Sequence, residues 1–535
     1  MTDQLVAAPM LVVLTTIVAL LGLRRWPRVQ RSASVGGGFA YALAVGAVAW
    51  SVVLAPDAPG AAAYQVGGWV APFGVTLVVD ALSAFMLAIA AAVGLSAAVF
   101  SVLYVDRANQ RVFYHVLFHC LLLGVTGAFL TGDLFNLFVW FEVMLLASYV
   151  FVAFYGGPEH TAAGFRYLVL NVVGSALLLL SVGGLYAVTG TLNMADVSRR
   201  MAAPGAYGVD PAPAVGLAAL ALVTFGLKAG LVPFQFWVPG AYRSAPLPVT
   251  AMLAGVTKKV GMYAIVRVYF TVFGGATVGP SIAGVAGSSP LSFLAPVLLA
   301  MGIASILVGG VGAVVRDTIE ETLAYSSVAQ IGFVAVPVGL AAAAPPGSLR
   351  RLGLAAALVY ALHHALAKPL LFLATAAIRS ATGTNRLADL GGLGGRAPVL
   401  SACFFLASLS LVGIPPLTGF FGKFLVFDAA ARRFATAPGP LGAIVLIALL
   451  AGAVLTILYT TRIWTASFWG ERTPAVEDAG VDPRQTAVLA ALALAIVGVG
   501  IWFDPVFEFA GAAADAALDR EGYVDLVAPT GGEDA

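Results

Sequence analysis

Fourteen stretches of mostly apolar residues follow one another along this 535-residue chain, near 5–23, 35–54, 78–104, 112–131, 134–155, 163–189, 213–238, 247–273, 291–315, 320–344, 351–379, 399–430, 440–468 and 484–508. A bilayer-spanning helix needs about 20 such residues, because the hydrocarbon core is about 30 Å thick and the helix rises about 1.5 Å per residue. In lipid every backbone N–H and C=O must be satisfied within the protein, which leaves helices and closed barrels. These stretches are too long and too evenly apolar for strands. The chain therefore reads as an all-α polytopic membrane protein with about fourteen transmembrane helices. The largest connectors, 55–77, 190–212, 379–398 and the tail after 508, leave no room for a soluble domain. Residues 191–203 read as a short helix lying along the surface. The first run has no basic region before it and no small-residue cleavage site after it, so it reads as a retained helix.

Charged residues make up only 10% of the chain, against about 25% in ordinary globular domains. A net charge of +2 provides no basic face for phosphates and excludes nucleic acid as a partner. Cys120 and Cys403 lie in apolar segments without a CxxC or ligand cluster, so neither a disulfide framework nor a metal site is expected. Arginine bias in short loops sets orientation. Connectors of the first parity hold Arg24, Arg25, Arg28, Arg31, Arg107, Arg111, Arg243, Arg316, Arg379, Arg386, Arg396, Arg462, Arg472 and Arg484. The opposite parity holds Arg199, Arg200, Arg350, Arg351, Arg432 and Arg433, so the count is 14 against 6. The first parity should be cytoplasmic and both termini external, together with an acidic tail (Asp515, Asp519, Glu521, Asp525, Glu533, Asp534).

The five lysines break the usual pattern. Lys228, Lys258, Lys259, Lys368 and Lys423 all fall inside apolar stretches, while nearly all of the 23 arginines sit in loops or at segment ends, with Arg267 the exception. Lysine is the cation whose protonation responds readily to burial, whereas arginine stays charged. A charge at the bilayer centre costs roughly 2.5–3.5 kcal/mol on insertion scales. Five lysines and Glu142 must therefore be paired, hydrated or discharged, and each remedy allows a change of protonation. Two of these stretches are also broken by proline. The seventh reads FGLKAGLVPFQFWVPG, with Pro233 five residues after Lys228. The twelfth reads SLVGIPPLTGFFGKF, with Pro415 and Pro416 before Lys423. Proline removes a backbone donor and clashes one turn back. Two interrupted helices five segments apart are the mark of an internal repeat. Pairing segments 4–8 with 9–13 gives units of odd helix number, hence inverted copies. The chain divides into 1–111 (helices 1–3), 112–273 (first repeat), 291–468 (second repeat) and 484–535 (helix 14 and external tail).

Glu142 lies well inside the fifth stretch, with Lys228 its natural partner. A carboxylate's proton affinity rises on desolvation and falls beside an ammonium, so such a pair can be moved either way. Adjacent residues point about 100° apart on a helix, so one of Lys258 and Lys259 faces the interior while the other meets a neighbouring helix. In YALHHALAKPLLF, His364 and Lys368 are four apart and share a face, which makes a proton-relay step, and His363 points elsewhere. Asp80 and Asp133, near segment ends, read as solvated or capping. No GxxxxGK[ST], GxGxxG or HExxH motif is present. No cofactor is expected, no nucleophile–base arrangement stands out, and the chain does not read as an enzyme acting on its own.

The motifs GDLFNLFVWFEVMLLASYVF, LKAGLVPFQFWVPGAYRSAPLPVTAMLAGVTKKVGMYAIVR, LAYSSVAQIGF, HHALAKPLLF and GIPPLTGFFGKF together resemble the antiporter-like membrane subunits. That family is shared by respiratory complex I, membrane-bound hydrogenases and Mrp-type multi-subunit sodium/proton antiporters. TGDLFNLFVWFEVMLLASY and TLNMADVS look most like the D-type members of the Mrp antiporters. The resemblance covers roughly residues 75–470. It implies two inverted five-helix repeats, with a proton relay of Glu142, Lys228, Lys259 (rather than Lys258), His364, Lys368 and Lys423, and with Lys258, Arg267 and His363 secondary. It also implies a hetero-oligomer with other membrane subunits in a prokaryotic cell membrane, moving protons against sodium. A pumping subunit of a complex I-like oxidoreductase or hydrogenase is the alternative. One departure is RDTIEETLAYSS, with Glu320 and Glu321 where the family often has basic residues.

Overall fold

The computed structural model describes residues 2–106, 109–277, 281–282, 285–286 and 289–528. Arg107, Glu533 and Asp534, counted above in the charge balance, lie outside them, as does the side chain of Arg111. Among the described residues, twelve helices are long and apolar enough to cross a membrane. In chain order the helices that matter are α1 (Ala8–Gly22), α2 (Pro27–Ala49), α3 (Ala81–Tyr104), α4 (His115–Leu130), α5 (Leu134–Val152) and α6 (Gly157–Thr189). The short α7 (Met194–Ala202) follows, then α8 (Ala212–Ala229), α9 (Trp237–Ser244) and α10 (Leu247–Val272). The second half holds α11 (Pro290–Val314), α12 (Ile319–Ala343), α13 (Ser348–Thr382), α14 (Pro398–Val412), α15 (Thr418–Thr436), α16 (Pro440–Ser467) and α17 (Pro483–Ile501). The apolar helices α4 and α14 are shorter than the twelve.

Both proline-rich stretches are interrupted helices. The seventh stretch stops as α8 at Ala229 and resumes as α9 at Trp237. The twelfth stops as α14 at Val412 and resumes as α15 at Thr418. Each first half ends on a left-handed glycine, Gly230 with φ +67° and Gly413 with φ +95°, a conformation that glycine adopts without a Cβ penalty. The following prolines forbid continuation of the helix. Burial is uneven and places the lysines: the most apolar window of α10 is 100% buried, and those of α12 and α13 are each 94% buried, against 22% for α1 and 28% for α16 and α17. Lys258, Lys259, His363, His364 and Lys368 all sit on these central helices.

Three connectors hold more structure than the hydropathy pattern suggests. β1 (Ala61–Gln65), within 55–77, pairs antiparallel with β2 (Thr76–Asp80), which takes the first residues of the third apolar stretch, so that α3 begins at Ala81. The surface helix expected at 191–203 is α7, N-capped by Asn193, which accepts from Ala195 N (3.1 Å) and Asp196 N (3.2 Å). It is docked rather than loose, with Met194, Val197 and Met201 buried. The last spanning helix ends at Ile501 rather than near 508, because Pro505 has no N–H to donate to Ile501 O and its ring clashes with that carbonyl. The tail then forms two further helices, α18 (Phe503–Leu518) and α19 (Arg520–Val527). Connectors of like parity meet. On one side Thr271 Oγ1 donates to Ala517 O (2.9 Å), Gln65 Nε2 to Val527 O (3.2 Å) and Arg199 to Ala528 O. On the other, His160 Nδ1 lies 3.0 Å from Ser244 O, Arg243 pairs with Glu321 (3.2 Å), Arg462 with Asp317 (2.9 Å) and Arg379 with Glu320 (3.2 Å).

Candidate functional site: a buried line of amines, imidazoles and hydroxyls

The site starts where α5, α6 and α8 meet. Lys228 lies in the last turn of α8 and is almost fully buried. Its Nζ is 4.0 Å from Glu142 Oε1. The contact runs mainly through Ser175 of α6: Lys228 donates to Ser175 Oγ (2.9 Å) and to Asn171 O (3.2 Å), and Ser175 donates to Glu142. Glu142 and Lys228 are thus brought together as their residue types suggest. The hydroxyl joining them is not legible in the sequence, because nothing there marks which α6 serine faces α5.

The α8 break comes next. A Cβ at Gly230 would lie 3.1 Å from Lys258 Cε and 3.4 Å from Lys258 Nζ, so Lys258 packs its ammonium end against the break. Lys258 Nζ also donates to Ser327 O of α12 (2.9 Å). Lys259 turns the other way, donating to Ala254 O (2.7 Å) and lying 2.5 Å from His364 Nδ1 of α13. Wide π-type turns at Leu253–Thr257 and Arg267–Val272 flank these lysines, and such turns often mark functional positions in helices. Both lysines are fully buried. Neither is relegated to a lipid-facing side.

The expected His364–Lys368 partnership is not formed as a direct contact. His364 pairs with Lys259 across the bundle, and Lys368 donates instead to Leu323 O (2.9 Å) and Ser326 Oγ (2.6 Å) of α12. A shared helix face sets proximity of Cβ atoms, but two long side chains on it are free to choose partners on different neighbouring helices. Ser326 donates onward to Tyr459 OH (2.8 Å), which also accepts from Gln330 Nε2 (3.1 Å), and Tyr360 donates to Gln330.

His363, which the sequence pattern turns away from the relay, points into the second break. Its Nδ1 is 3.2 Å from Ser410 Oγ at the end of α14 and 3.4 Å from Thr418 Oγ1 at the start of α15, and those hydroxyls are 3.2 Å apart. Lys423 of α15 donates to Val412 O (2.9 Å), the last helical carbonyl before the gap, and its Nζ sits over the Phe333 ring at 5.7 Å. The adjacent histidines thus connect in opposite directions, His364 toward α10 and His363 toward α14 and α15.

Away from the line, Arg267 of α10 makes a buried ion pair with Asp80 (2.7 Å), which also caps α3 by accepting from Ser83 N (2.8 Å). Capping is the role expected of Asp80, but the arginine is an addition. Asp133 caps α5, accepting from Asn136 N (2.7 Å). Burial pushes its carboxyl up, and the hydrogen bonds from Asn136 oppose that shift. Glu320 and Glu321 are matched by Arg379 and Arg243.

A family model described as "NADH:quinone oxidoreductase/Mrp antiporter, TM" matches residues 131–437, a span containing every member of the line. The chain is 32% identical over 529 residues to the D component of the Na(+)/H(+) antiporter of Alkalihalophilus pseudofirmus, covering 98% of this chain and 99% of that one. It is 34% identical over 463 residues to the N component of the NADH-quinone oxidoreductase of Desulforudis audaxviator, covering 85% of each. Among solved structures it is similar to a chain of the Mrp complex from Dietzia sp. DQ12-45-1b, with a TM-score of 0.82, 29% identity, and 98% and 99% coverage.

Proposed function

Because the chain belongs to the NADH:quinone oxidoreductase/Mrp antiporter transmembrane family, we propose that it is the proton-translocating subunit of a multi-subunit Mrp-type sodium/proton antiporter. It is a multi-pass membrane protein that works beside other membrane subunits, with both termini external and the arginine-rich connectors cytoplasmic. Its role is transport rather than catalysis. The observation that carries this reading is the buried line itself. Glu142, Ser175 and Lys228 form one unit, Lys258 lies against the first break, Lys259 holds His364, Lys368 holds Ser326, and His363 leads through Ser410 and Thr418 to the second break beside Lys423.

The mechanism follows from charge at close range in a medium of low dielectric. Like charges repel far more strongly there than in water. A proton arriving at one neutral amine therefore disfavours the next charge along the line and moves it on. At the first unit, Ser175 ties Glu142 to Lys228, so that a charge on either favours a charge on the other. Removing the proton from Lys228 leaves a carboxylate without its counter-ion, which then takes up a proton in turn. The two breaks expose backbone carbonyls that only protein or water can satisfy at this depth, and so favour hydration beside Lys258 and Lys423. The two five-helix units 112–273 and 291–468 are read as inverted copies, each supplying one break.

The test is exchange in everted membrane vesicles carrying the whole complex. Glu142→Gln and Lys228→Ala should each assemble at normal levels and lose cation/proton exchange. Full exchange in either assembled variant overturns the relay. The similarity to a component of a quinone oxidoreductase favours a second setting for the same line, driven by electron transfer in a complex I-like assembly. Co-purified iron–sulfur or quinone-reacting subunits, in place of small antiporter subunits, would select it.

A further inference from the structure

The line has a branch that the relay does not use. Lys259, Tyr263 and Arg267 recur every four residues on α10, so they share one face and climb about 6 Å at each step. Lys259 and Tyr263 both line a small apolar cavity of about 20 Å³ between α3, α10, α12 and α13, which is room for about one water. Past Tyr263 stands Arg267, which is 1% exposed. Its Nε donates to Tyr263 OH (3.4 Å), its Nη2 donates to Asp80 and to Ser83 Oγ (3.3 Å), and its guanidinium lies over the rings of Tyr263 (5.6 Å) and Tyr523 (5.0 Å). Its Nη1 is buried with no hydrogen-bond partner among the described residues. Beyond Arg267, Asp80 and Tyr523 line a second cavity of about 340 Å³, together with Gly60, Asp519 and Leu526, on the side of β1, α18 and α19. Lys259, Tyr263 and Arg267 thus form a row on one face of α10 from the middle of the bundle toward the second cavity, with an apolar cavity shared by Lys259 and Tyr263 along it, and a permanently charged group closes its outer end.

We propose that Arg267 is an electrostatic seal on a side exit from Lys259, and that its pairing with Asp80 holds it there. The proposal rests on the reading of Lys259 as a proton carrier. A relay that passes protons sideways through the membrane needs insulation wherever it comes near bulk water, or the gradient discharges before reaching the coupled step. A lysine would insulate poorly, because it can give up its proton and become a stepping stone. A guanidinium stays charged, and a fixed cation in a narrow pore excludes protons and cations. Asp80 offsets the cost of burying the charge, and the aromatic faces of Tyr263 and Tyr523 fill the space around it.

The test uses the assembled complex in sealed vesicles, with passive proton permeability measured after an acid pulse in the absence of sodium. Replacing both charges by amides, Asp80→Asn with Arg267→Gln, leaves no orphan ion. It should raise proton leak several-fold, and Arg267→Lys with Asp80 intact should leak more than wild type but less than the neutral pair. Adding Tyr263→Phe to the neutral pair should return the leak toward wild type. A neutral-pair complex as tight as wild type, or a leak untouched by Tyr263→Phe, overturns the seal.

A second measurement leaves the buried residues alone, and it decides the matter if the neutral pair does not assemble. Leu526→Cys at the outer cavity is modified with an anionic or a cationic impermeant thiol reagent, with the unmodified parent treated alongside. The anionic adduct should raise leak and the cationic one should not, and equal effects overturn the proposal. Passive leak is read separately from exchange. An intact relay with a tight neutral pair sinks the seal alone, and lost exchange in Glu142→Gln stands whatever Arg267 does.

Discussion

At the scale of the residue, the presence of buried amines is legible in the sequence but their partners are not. Five lysines inside apolar stretches can only be interior groups, and all five are buried. Motif and spacing favour Lys259 over Lys258 and His364 over His363, and the structure distributes the contacts more evenly. Lys258 meets the first break and His363 meets the second. His363→Ala should therefore impair exchange as severely as His364→Ala in the vesicle assay, although spacing alone ranks it below. Ser175→Ala should lower exchange by about 10-fold with assembly intact, since hydrogen bonds to charged groups contribute about 1.5–3 kcal/mol. A wild-type rate in that variant would mean that Glu142 and Lys228 couple without the bridge. Partner choice escapes the sequence because a long side chain on a central helix reaches several neighbours, and periodicity describes only its own helix.

At the scale of the element, hydropathy locates the helices well and proline locates the breaks. Pro233 and the pair Pro415–Pro416 each follow a glycine within three residues, Gly230 and Gly413, and that conjunction makes the gaps at 230–236 and 413–417 readable in advance, since Pro296, Pro337 and Pro369 lie inside continuous helices. The strand pair 61–65 with 76–80 is not, because one five-residue strand lies in a 23-residue connector and the other runs into the third apolar stretch, so neither has a hydropathic outline of its own. Arg267 stands out as the exception to the placing of arginines in loops and at segment ends, but its bond to Asp80 spans 187 positions, far outside any local pattern. The second break is closed tightly: a Cβ at Gly419 would fall 2.6 Å from His363 Cε1 and well inside contact with Ser410 O. Gly419→Ala should therefore push α15 off α14 and reduce the complex recovered from membranes. Gly183→Ala, with nothing within 4 Å of the added methyl, should leave recovery unchanged, and equal losses would show that glycine content rather than close approach matters.

At the scale of the whole molecule, the two faces are braced by different chemistry. The face carrying β1, α7, α18 and α19 is stitched largely by side chains donating to main-chain carbonyls, at Ala517, Val527 and Ala528. The opposite face is held by charge pairs, Arg243 with Glu321, Arg379 with Glu320 and Arg462 with Asp317. The exposed Arg351–Asp515 pair on the first face is of the kind that contributes only about 0–1 kcal/mol. Arg351→Ala should accordingly leave the melting temperature of the purified complex within a degree or two of wild type, and a large drop would reveal a structural role that its exposure conceals. In the orientation proposed above, the carbonyl-stitched face looks outward. Neutral acceptors neither titrate nor respond to ionic strength, whereas charge pairs do both. A rise in outside salt should thus loosen Arg351–Asp515 and Arg200–Asp196 on that face while the neutral ties at Ala517 and Val527 hold.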